Sequence, residues 1–532
     1  MRSNSRKPRL ILGLMLCGLL VTVCCIGESS PAAARMGGFG GMGGFGGRSF
    51  GGGAGPRQRM TAPRRGGGNF ADRPSGRYGR NSANADRSSG RYGRNPGGGD
   101  RGEPGHHRTI GTGVGGNPGT DVSDVSKRGG GGGGGGAGAN NGRSNVPPNG
   151  ERRFVPGEIL TEFSASATPQ SIDQIARRYD LTRLDSLSLP LIGSTIYRWR
   201  IGGRRSVADT VGAIENERTV SSAQPNYIFT LQEQAAAAVA DDTQGDAAQY
   251  VLDKLQIKQA HQLAAGKNVL VAVIDSEVDA KHPDLAGTIV KNFDALSSDT
   301  SPHKHGTAIA GAIASHGKLL GVAPGVQLLA VRAFDDAPVG AKGTSLGIYK
   351  ALQWAADNGA RVVNMSFAGP PDWELHRMLT AAYEKGIVLI AAAGNAGPNS
   401  PPLYPAADPD VIAVTATDSN DGLFKMSNRG EYIAVAAPGV DILADAPAES
   451  YQITTGTSIA AAHVSGVVAL LLESKPSLKP RDIRSLLTAS ATALGKDERP
   501  GSSAGLVNAY RAVTSLNGKP IDKNDGDDQA KR

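Results

Sequence analysis

The sequence predicts an α/β fold in which a mostly parallel central sheet is covered by helices on both faces. Five unbroken apolar runs carry this prediction: "NVLVAVID", "VQLLAVRAF", "ARVVNMSF", "GIVLIAAAGN" and "VIAVTATD". Helical segments such as "GTSLGIYKALQWAADNG" and "WELHRMLTAAYEKG" separate them. Apolar strands that alternate with helices are typical of a parallel sheet buried on both sides. Functional side chains are then expected at the carboxyl ends of the strands.

A smaller α+β unit is predicted ahead of this sheet. The runs "GEILTEF", "STIYRWRI" and "VSSAQPNYIFTL" are strand candidates, and "PQSIDQIARRYDL" and "SVADTVGAIENE" carry apolar residues at helical spacing. A polar, alanine-rich stretch without a core pattern follows and predicts an exposed linker. The expected organisation is therefore a small domain at 151–232, a linker at 233–248, the large domain at 249–516 and a polar tail at 517–532.

The N-terminal segment, residues 1–34, has the pattern of an export signal. Four basic residues precede the apolar run "LILGLMLCGLLVTVCCIG", and "PAAA" offers small residues for cleavage. The alternative is an uncleaved membrane anchor, but the run is shorter than the ~20 residues that a spanning helix needs. All three cysteines lie in this segment. A cleaved chain would therefore contain neither a disulfide nor a thiol nucleophile, and we expect it in the periplasm, outside the cell or at the cell envelope.

Residues 35–150 form a Gly/Arg-rich segment of low complexity. The segment holds 17 Lys and Arg against 6 Asp and Glu, a balance of +11, whereas the whole 532-residue chain carries +8. The remainder is slightly acidic, so the basic balance says little about the folded part. Too few apolar residues are present to form a core, which predicts disorder. A tether that contacts an anionic surface is favoured over specific binding of nucleic acid.

Four polar residues lie at the ends of predicted elements in the large domain. Asp275 follows an apolar strand, His305 begins a helix of small residues, Asn395 ends "AAAGN" and Ser458 opens an apolar helix. Each alone has a structural interpretation, as a turn residue, a packed histidine or a helix cap. Together they supply the acid, base, hydroxyl and amide donor that acyl transfer requires.

The residues around these four positions resemble the motifs of the subtilisin-like serine peptidases. "VAVIDSEVDAKHPDL", "HGTAIAGAIAS" and "GTSIAAAHVSG" occur in the order of that family's aspartate, histidine and serine motifs. "AAAGNAGP" resembles its oxyanion segment, and the similarity spans roughly Tyr250 to Leu516. The smaller unit is similar to the family's inhibitory propeptide, which implies that its sheet packs on two surface helices of the large domain and that its last residues run through the substrate cleft. The resemblance implies a secreted serine endopeptidase, autoprocessed and monomeric, that acts on proteins or peptides through an acyl-enzyme.

The resemblance also implies roles for particular residues. Ser458 would be the nucleophile, His305 its base and Asp275 the residue that orients the base, while Asn395 would stabilise the oxyanion. An extended substrate would lie beside the strand formed by Ser366, Phe367 and Ala368, and Gly394 would form a wall of the main side-chain pocket.

Calcium is implied by the resemblance alone, because no acidic loop is distinctive. The Tyr404–Pro405 bond is expected to be cis. Cleavage is expected between about Leu231 and Ala240.

Several positions depart from the family pattern. Glu277, Ala308, Ala368 and Ala462 stand where the family commonly has glycine, histidine, glycine and proline, respectively. Glu277 raises the alternative of a catalytically impaired, peptidase-fold binding protein, and the Gly/Arg-rich segment raises that of a surface-adhesion protein.

The other histidines admit competing interpretations. His303 and His305 suggest a metal pair, but no third ligand with suitable spacing follows. We expect His282 in a surface loop and His463 packed within the serine helix.

Overall fold

The computed structural model describes residues 144–232, 237–239, 249–298, 301–336, 341–495 and 504–516. The predicted signal segment, the low-complexity segment up to residue 143 and the polar tail lie outside these residues.

The N-terminal module is an antiparallel four-stranded sheet with two helices. Its elements are, in chain order, β1 (Phe154–Phe163), α1 (Pro169–Arg178), β2 (Leu181–Leu189), β3 (Ser194–Ile201), α2 (Val207–Ile214) and β4 (Val220–Leu231). The strand order is β4-β1-β3-β2. Both helices bury apolar residues, among them Ile175 and Val211, against Trp199 of the sheet. The sequence predicted five of these six elements but not β2.

The module begins earlier than the sequence predicted. The backbone N–H of Asn145 donates to Glu215 at 2.6 Å, and Val146 packs against the apolar core of the module. Residues 144–150, placed by the sequence in the low-complexity segment, therefore contact the folded module.

A second domain follows the module. Its strands are β5 (Ala237–Val239), β6 (Leu270–Asp275), β7 (Ile289–Asp294), β8 (Gln327–Arg332), β9 (Lys342–Thr344), β10 (Val362–Met365), β11 (Phe367–Ala368), β12 (Val388–Ala392), β13 (Val411–Thr417), β14 (Ile433–Pro438), β15 (Ile442–Ala446) and β16 (Ser450–Thr454). Its helices are α3 (Tyr250–Lys254), α4 (Ile257–Ala260), α5 (Lys304–Ala314), α6 (Ser345–Asp357), α7 (Trp373–Glu384), α8 (Thr457–Ser474), α9 (Pro480–Ser490) and α10 (Ala509–Ser515). The linker prediction missed β5, which pairs with β16.

Seven strands of this domain form a parallel sheet in the order β14-β13-β12-β10-β6-β8-β7. Alternate residues of a strand face opposite sides of a sheet. Val271 and Val273 accordingly join the core beneath α5, α8 and α9, whereas Ala272 and Ile274 join the core beneath α6 and α7. The predicted fold class, a parallel sheet with helices on both faces, is confirmed.

The module packs against α6 and α7, the two helices on one face of the sheet. Gln224 of β4 donates to Asp372 at 2.8 Å, and Lys350 of α6 donates to Asp185 of β2 at 3.0 Å. The end of β4 also pairs with β9 and β11, which extends the sheet of the module to six strands. The module thus reaches the carboxyl edge of the central sheet.

Helix α8 runs through the interior of the second domain. Among the described residues it alone is long and apolar enough to cross a bilayer, yet nearly all of it is buried. It is therefore a core helix.

The Tyr404–Pro405 peptide bond is cis, as the sequence predicted.

Candidate active site

Asp275, His305 and Ser458 come together from three elements at the carboxyl edge of the parallel sheet. Asp275 is the last residue of β6, and His305 and Ser458 are each the second residue of a helix, α5 and α8. All three side chains are buried. Helix α8 has Gly456 as its N-cap and no side-chain cap. The hydroxyl of Ser458 is therefore free of the capping role that the sequence left open.

Asp275 and His305 form a direct pair. The Nδ1 atom of His305 lies 2.6 Å from Oδ1 of Asp275, and the backbone N–H of Ser276 donates to the same oxygen at 2.8 Å. A carboxylate at Nδ1 favours the tautomer that carries its proton there, which leaves Nε2 as an acceptor. A buried imidazole held in this way is suited to accept a proton from a hydroxyl.

The hydroxyl of Ser458 is directed towards two carbonyl oxygens. Its Oγ atom lies 2.6 Å from the carbonyl oxygen of Gln232 and 3.1 Å from that of Ser366. His305, Ser458, Gln232 and Gly456 line one small pocket. The end of β4 therefore forms part of the wall of the pocket that His305 and Ser458 line.

Asn395 is held with its amide donor facing the same pocket. Its Oδ1 accepts from the backbone N–H of Thr457 at 3.1 Å and from the Thr457 hydroxyl at 2.9 Å. Its Nδ2 is buried and has no hydrogen-bond partner among the described residues. A β-carbon placed on Gly456 would lie 2.6 Å from the Gln232 oxygen and 3.0 Å from Asn395 Nδ2. The carbonyl oxygen and the amide donor therefore border the same space.

The last residues of β4 lie extended in a cleft between β9 and β11. Leu231 pairs with Phe367 and Thr230 with Ala368, and the backbone N–H of Gln232 donates to the carbonyl oxygen of Ser366 at 3.2 Å. The arrangement is the strand addition by which extended peptides bind at a sheet edge.

An apolar recess receives Phe229, three residues before Gln232. Its ring contacts Phe367 edge-on, with centroids 5.9 Å apart. A β-carbon on Gly369 would clash with the same ring. The absence of a side chain at Gly369 therefore shapes the recess.

Gly394 lies beside Asn395 and supports it indirectly. Its backbone N–H donates to the Thr457 hydroxyl at 3.2 Å, and its φ of +110° favours glycine. Thr457, Gly456 and Gln232 were not among the site residues predicted from the sequence. The motif "GTSIAAAHVSG" contains the first two, whereas no sequence signal distinguishes Gln232 from its neighbours.

The remaining histidines are structural or peripheral. His463 is buried with Nδ1 at 2.9 Å from the Pro438 carbonyl, and burial lowers its pKa to about 4; it is a packed histidine, as predicted. The prediction of a surface position for His282 is wrong. Its ring is fully buried, because β16 covers it through Tyr451, with ring centroids 5.6 Å apart.

Among the described residues, one group of side chains could in principle hold a metal: His282, Asp284 and Asp445. Calcium prefers six to eight oxygen ligands, and this group offers two carboxylates and an imidazole. Asp284 already accepts from the backbone N–H groups of Lys318 and Leu319 at 2.8 Å each. Burial, with a smaller contribution from neighbouring Asp284, raises the pKa of Asp445 to about 7. The group does not fit calcium and behaves instead as a buried carboxyl pair.

A hydroxyl, an imidazole and a carboxylate that converge on a bound peptide carbonyl define the class of the serine peptidases. Residues 266–510 match the model of the subtilase family, and residues 140–226 match that of the fervidolysin N-terminal prodomain. The chain belongs to the subtilase family. It is a serine endopeptidase with an N-terminal prodomain and acts on protein or peptide substrates.

Individual relatives agree with this assignment. The chain is 32% identical over 374 residues to a thermophilic serine proteinase of Bacillus sp. (strain AK1), covering 68% of this chain and 88% of that protein. It is 37% identical over 277 residues to thermitase of Thermoactinomyces vulgaris, covering 50% and 95%. The crystal structure of fervidolysin from Fervidobacterium pennivorans, described as a keratinolytic enzyme, superposes with a TM-score of 0.58 at 27% identity. That match covers 69% of this chain and 62% of fervidolysin.

Proposed function

We propose that Ser458 is the nucleophile of this endopeptidase, His305 its general base and Asp275 the residue that orients the base. As the Ser458 oxygen bonds to the substrate carbonyl carbon, its proton passes to Nε2 of His305. His305 then returns the proton to the leaving amine as the peptide bond breaks. A water molecule attacks the resulting ester by the same proton transfers and releases the second product, which restores the Ser458 hydroxyl.

Asn395 is proposed to stabilise the oxyanion of each tetrahedral intermediate. Its Nδ2 lacks a partner among the described residues and borders the pocket, whereas its Oδ1 is fixed by Thr457. A donor fixed before the reaction stabilises developing charge without reorganisation. The amino end of α8 adds a favourable dipole at the same place.

The observation that carries the proposal is the Gln232 carbonyl group, 2.6 Å from Ser458 Oγ. We infer that the prodomain lies in the cleft as the first substrate and that the enzyme cuts the bond after Gln232. This position falls within the expected range of Leu231 to Ala240. Because prodomain and active site belong to one chain, the rate of this cut should be independent of protein concentration. The freed prodomain should inhibit until it is degraded.

The processing reaction tests the proposal directly. The wild-type full chain should yield a fragment whose N-terminal residue is Glu233, and Ser458→Ala should stay uncut while retaining its circular dichroism spectrum. Ser474→Ala, at the far end of the same helix, is the matched control and should process normally. Hydrolysis of peptides by folded Ser458→Ala, or an active enzyme that keeps residues 154–231 attached, would contradict the proposal.

Labelling with a serine-directed fluorophosphonate provides an independent readout. The processed enzyme should react at Ser458 alone.

The basic and apolar N-terminal segment further supports export of the enzyme to the periplasm, cell envelope or medium, with the Gly/Arg-rich segment contacting an anionic surface. The enzyme is proposed to act as a monomer.

A further inference from the structure

His303 lies one contact outside the proposed catalytic triad. Its Nδ1 atom accepts from the backbone N–H of His305 at 3.2 Å and lies 2.9 Å from Oγ of Ser276. Its Nε2 atom is 3.4 Å from a carboxylate oxygen of Asp336. One titratable ring thus contacts the backbone of the proposed base directly and reaches Asp275 through a single hydroxyl.

The hydroxyl of Ser276 is the junction between His303 and Asp275. It accepts from the backbone N–H of Gly306 at 3.0 Å, and its own proton has two acceptors within reach. One is Oδ1 of Asp275 at 3.1 Å, and the other is Nδ1 of His303. A hydroxyl carries one proton and can serve only one of them fully at a time.

Three donors share one oxygen of Asp275. Its Oδ1 is bonded to the backbone N–H of Ser276, the Ser276 hydroxyl and the imidazole of His305, whereas its Oδ2 has no partner among the described residues. A stronger bond from Ser276 therefore draws electron density from the oxygen that holds His305. The position of the Ser276 proton consequently changes how firmly Asp275 orients the base.

The protonation state of His303 determines where that proton lies. In the neutral ring, Asp336 favours a proton on Nε2, so Nδ1 is an acceptor for Ser276 and for the N–H of His305. In the charged ring both nitrogens are donors. Nδ1–H then points at Ser276 Oγ, the Ser276 proton moves to Asp275, and the N–H of His305 loses its acceptor.

We propose that His303 is a positioning residue that couples pH to the Asp275–His305 pair through Ser276. The proposal rests on the triad assigned above. The charged form weakens the hold on His305 and places a cation near the imidazolium that forms during catalysis, so it is the less active form. The groups that contact His303 are the Asp336 carboxylate after β8, the backbone N–H of His305 on α5, and Ser276, which links the ring to Asp275 at the end of β6. There the Glu277 carbonyl accepts the backbone N–H of His303 at 2.8 Å.

The test is the pH dependence of kcat and KM for the processed full-chain enzyme, comparing wild type with His303→Asn. Asparagine can cap α5 and accept from Ser276 but does not ionise. In the wild type the acidic limb of log kcat should be steeper than the slope of 1 that a single essential protonation gives, because protonation of His303 lowers activity as well. In His303→Asn the slope should fall to about 1, with KM unchanged and kcat at the alkaline plateau within about threefold.

His376→Asn is the matched control, since His376 also pairs with a carboxylate, Asp408 at 2.7 Å, but lies on α7. It should leave the acidic limb unchanged. In Ser276→Ala, adding His303→Asn should change the slope less than it does in the wild type, because the link through Ser276 is already broken. A His303→Asn profile that superimposes on the wild type, or the same loss of kcat at every pH, would overturn the proposal. Failure of the triad itself would appear separately, as hydrolysis by Ser458→Ala.

Discussion

Gly456 is the residue whose missing side chain leaves room for the carbonyl oxygen in the proposed oxyanion site. A β-carbon there would come within 2.6 Å of the Gln232 oxygen, closer than van der Waals contact allows. The backbone of Gly456 is extended, with φ of 161° and ψ of 165°, so alanine can adopt it. The effect of a methyl group should therefore be confined to the pocket.

Gly456→Ala should lower kcat by about 10²–10³, the size known for loss of one oxyanion donor in subtilisin, a relative of this chain. The reason is that the added methyl group displaces the oxyanion from Asn395. The measurement is kcat/KM for a peptide substrate, together with thermal unfolding. Gly347→Ala is the control, since its β-carbon would meet only ordinary contacts, the nearest at 3.5 Å. Equal activity of Gly456→Ala and wild type would place the oxyanion elsewhere.

At the residue scale, the order of the motifs and the residues around them predict Asp275, His305, Ser458 and Asn395 as site residues. They do not identify what these side chains contact. Motif spacing specifies neighbours along the chain, whereas the pairing of Thr457 with Asn395 joins residues 62 positions apart. The same limit explains the wrong prediction for His282. The neighbouring Pro283 suggests a loop, but the sequence does not show that Tyr451 covers the His282 ring.

Helix α5 is fixed against β15 at the end opposite to His305. Ser315, directly after α5, donates to the buried carboxyl of Asp445. Gly311 faces the same carboxyl so closely that a β-carbon would clash with it. Because α5 carries His305 in its first turn, this contact helps to hold the proposed base in place.

Asp445→Asn should remove a pH-dependent loss of stability. Burial raises the pKa of Asp445 to about 7 from an ordinary value of 3.8. The folded state thus favours the protonated carboxyl, so stability falls as pH rises from about 4 to about 7 and stays lower above that. Asparagine is neutral throughout and can donate to Asp284. At pH 8 the variant should therefore be more stable, by a few kcal/mol at most.

The measurement is urea unfolding at pH 5 and pH 8 in the Ser458→Ala background, which avoids self-digestion. Asp441→Asn, an exposed carboxylate just before β15, is the control and should behave like its parent. If Asp445→Asn lost as much stability between the two pH values as its parent, the carboxyl pair would not be the source.

The strands that the sequence missed share an edge position or a weak pattern. β7 and β14 are the two edge strands of the parallel sheet, and the middle of β7 is exposed. An edge strand of this kind lacks the unbroken apolar run that revealed the central strands. β2 is half exposed. For β2 and β7 the apolar signal is thus weak because these strands are exposed, whereas β14 is fully buried and rich in alanine and was missed all the same.

At the scale of the whole chain, the sequence predicted that the prodomain packs on two surface helices and ends in the cleft, and the contacts of β4 with α6, α7 and β11 agree. It did not predict which bond reaches Ser458. The alanine-rich linker has no pattern that marks a register, so only a range could be given. The register depends instead on the β4–β11 pairing and on the recess for Phe229.

The interface between prodomain and peptidase buries a carboxyl cluster around one arginine. Arg377 of α7 pairs with Glu374 on its own helix at 2.8 Å and with Glu162 of β1. Ser222 of β4 also donates to Glu374. Burial raises the pKa of Glu374 to about 7, although Arg377 and Ser222 act in the opposite direction. Because β1 and β4 contribute to this burial, the raised pKa belongs to the complex.

The affinity of the prodomain should therefore fall as pH rises towards 7. The complex holds a proton on Glu374 that a solvent-exposed side chain would release near its ordinary value of 4.5. Linkage then requires the inhibition constant of the excised prodomain to rise by about tenfold to a hundredfold between pH 5 and pH 8. Glu374→Gln should flatten this dependence, whereas Glu384→Gln, exposed at the end of the same helix, should preserve it. An inhibition constant with the same pH dependence in Glu374→Gln and wild type would show that another group controls release of the prodomain.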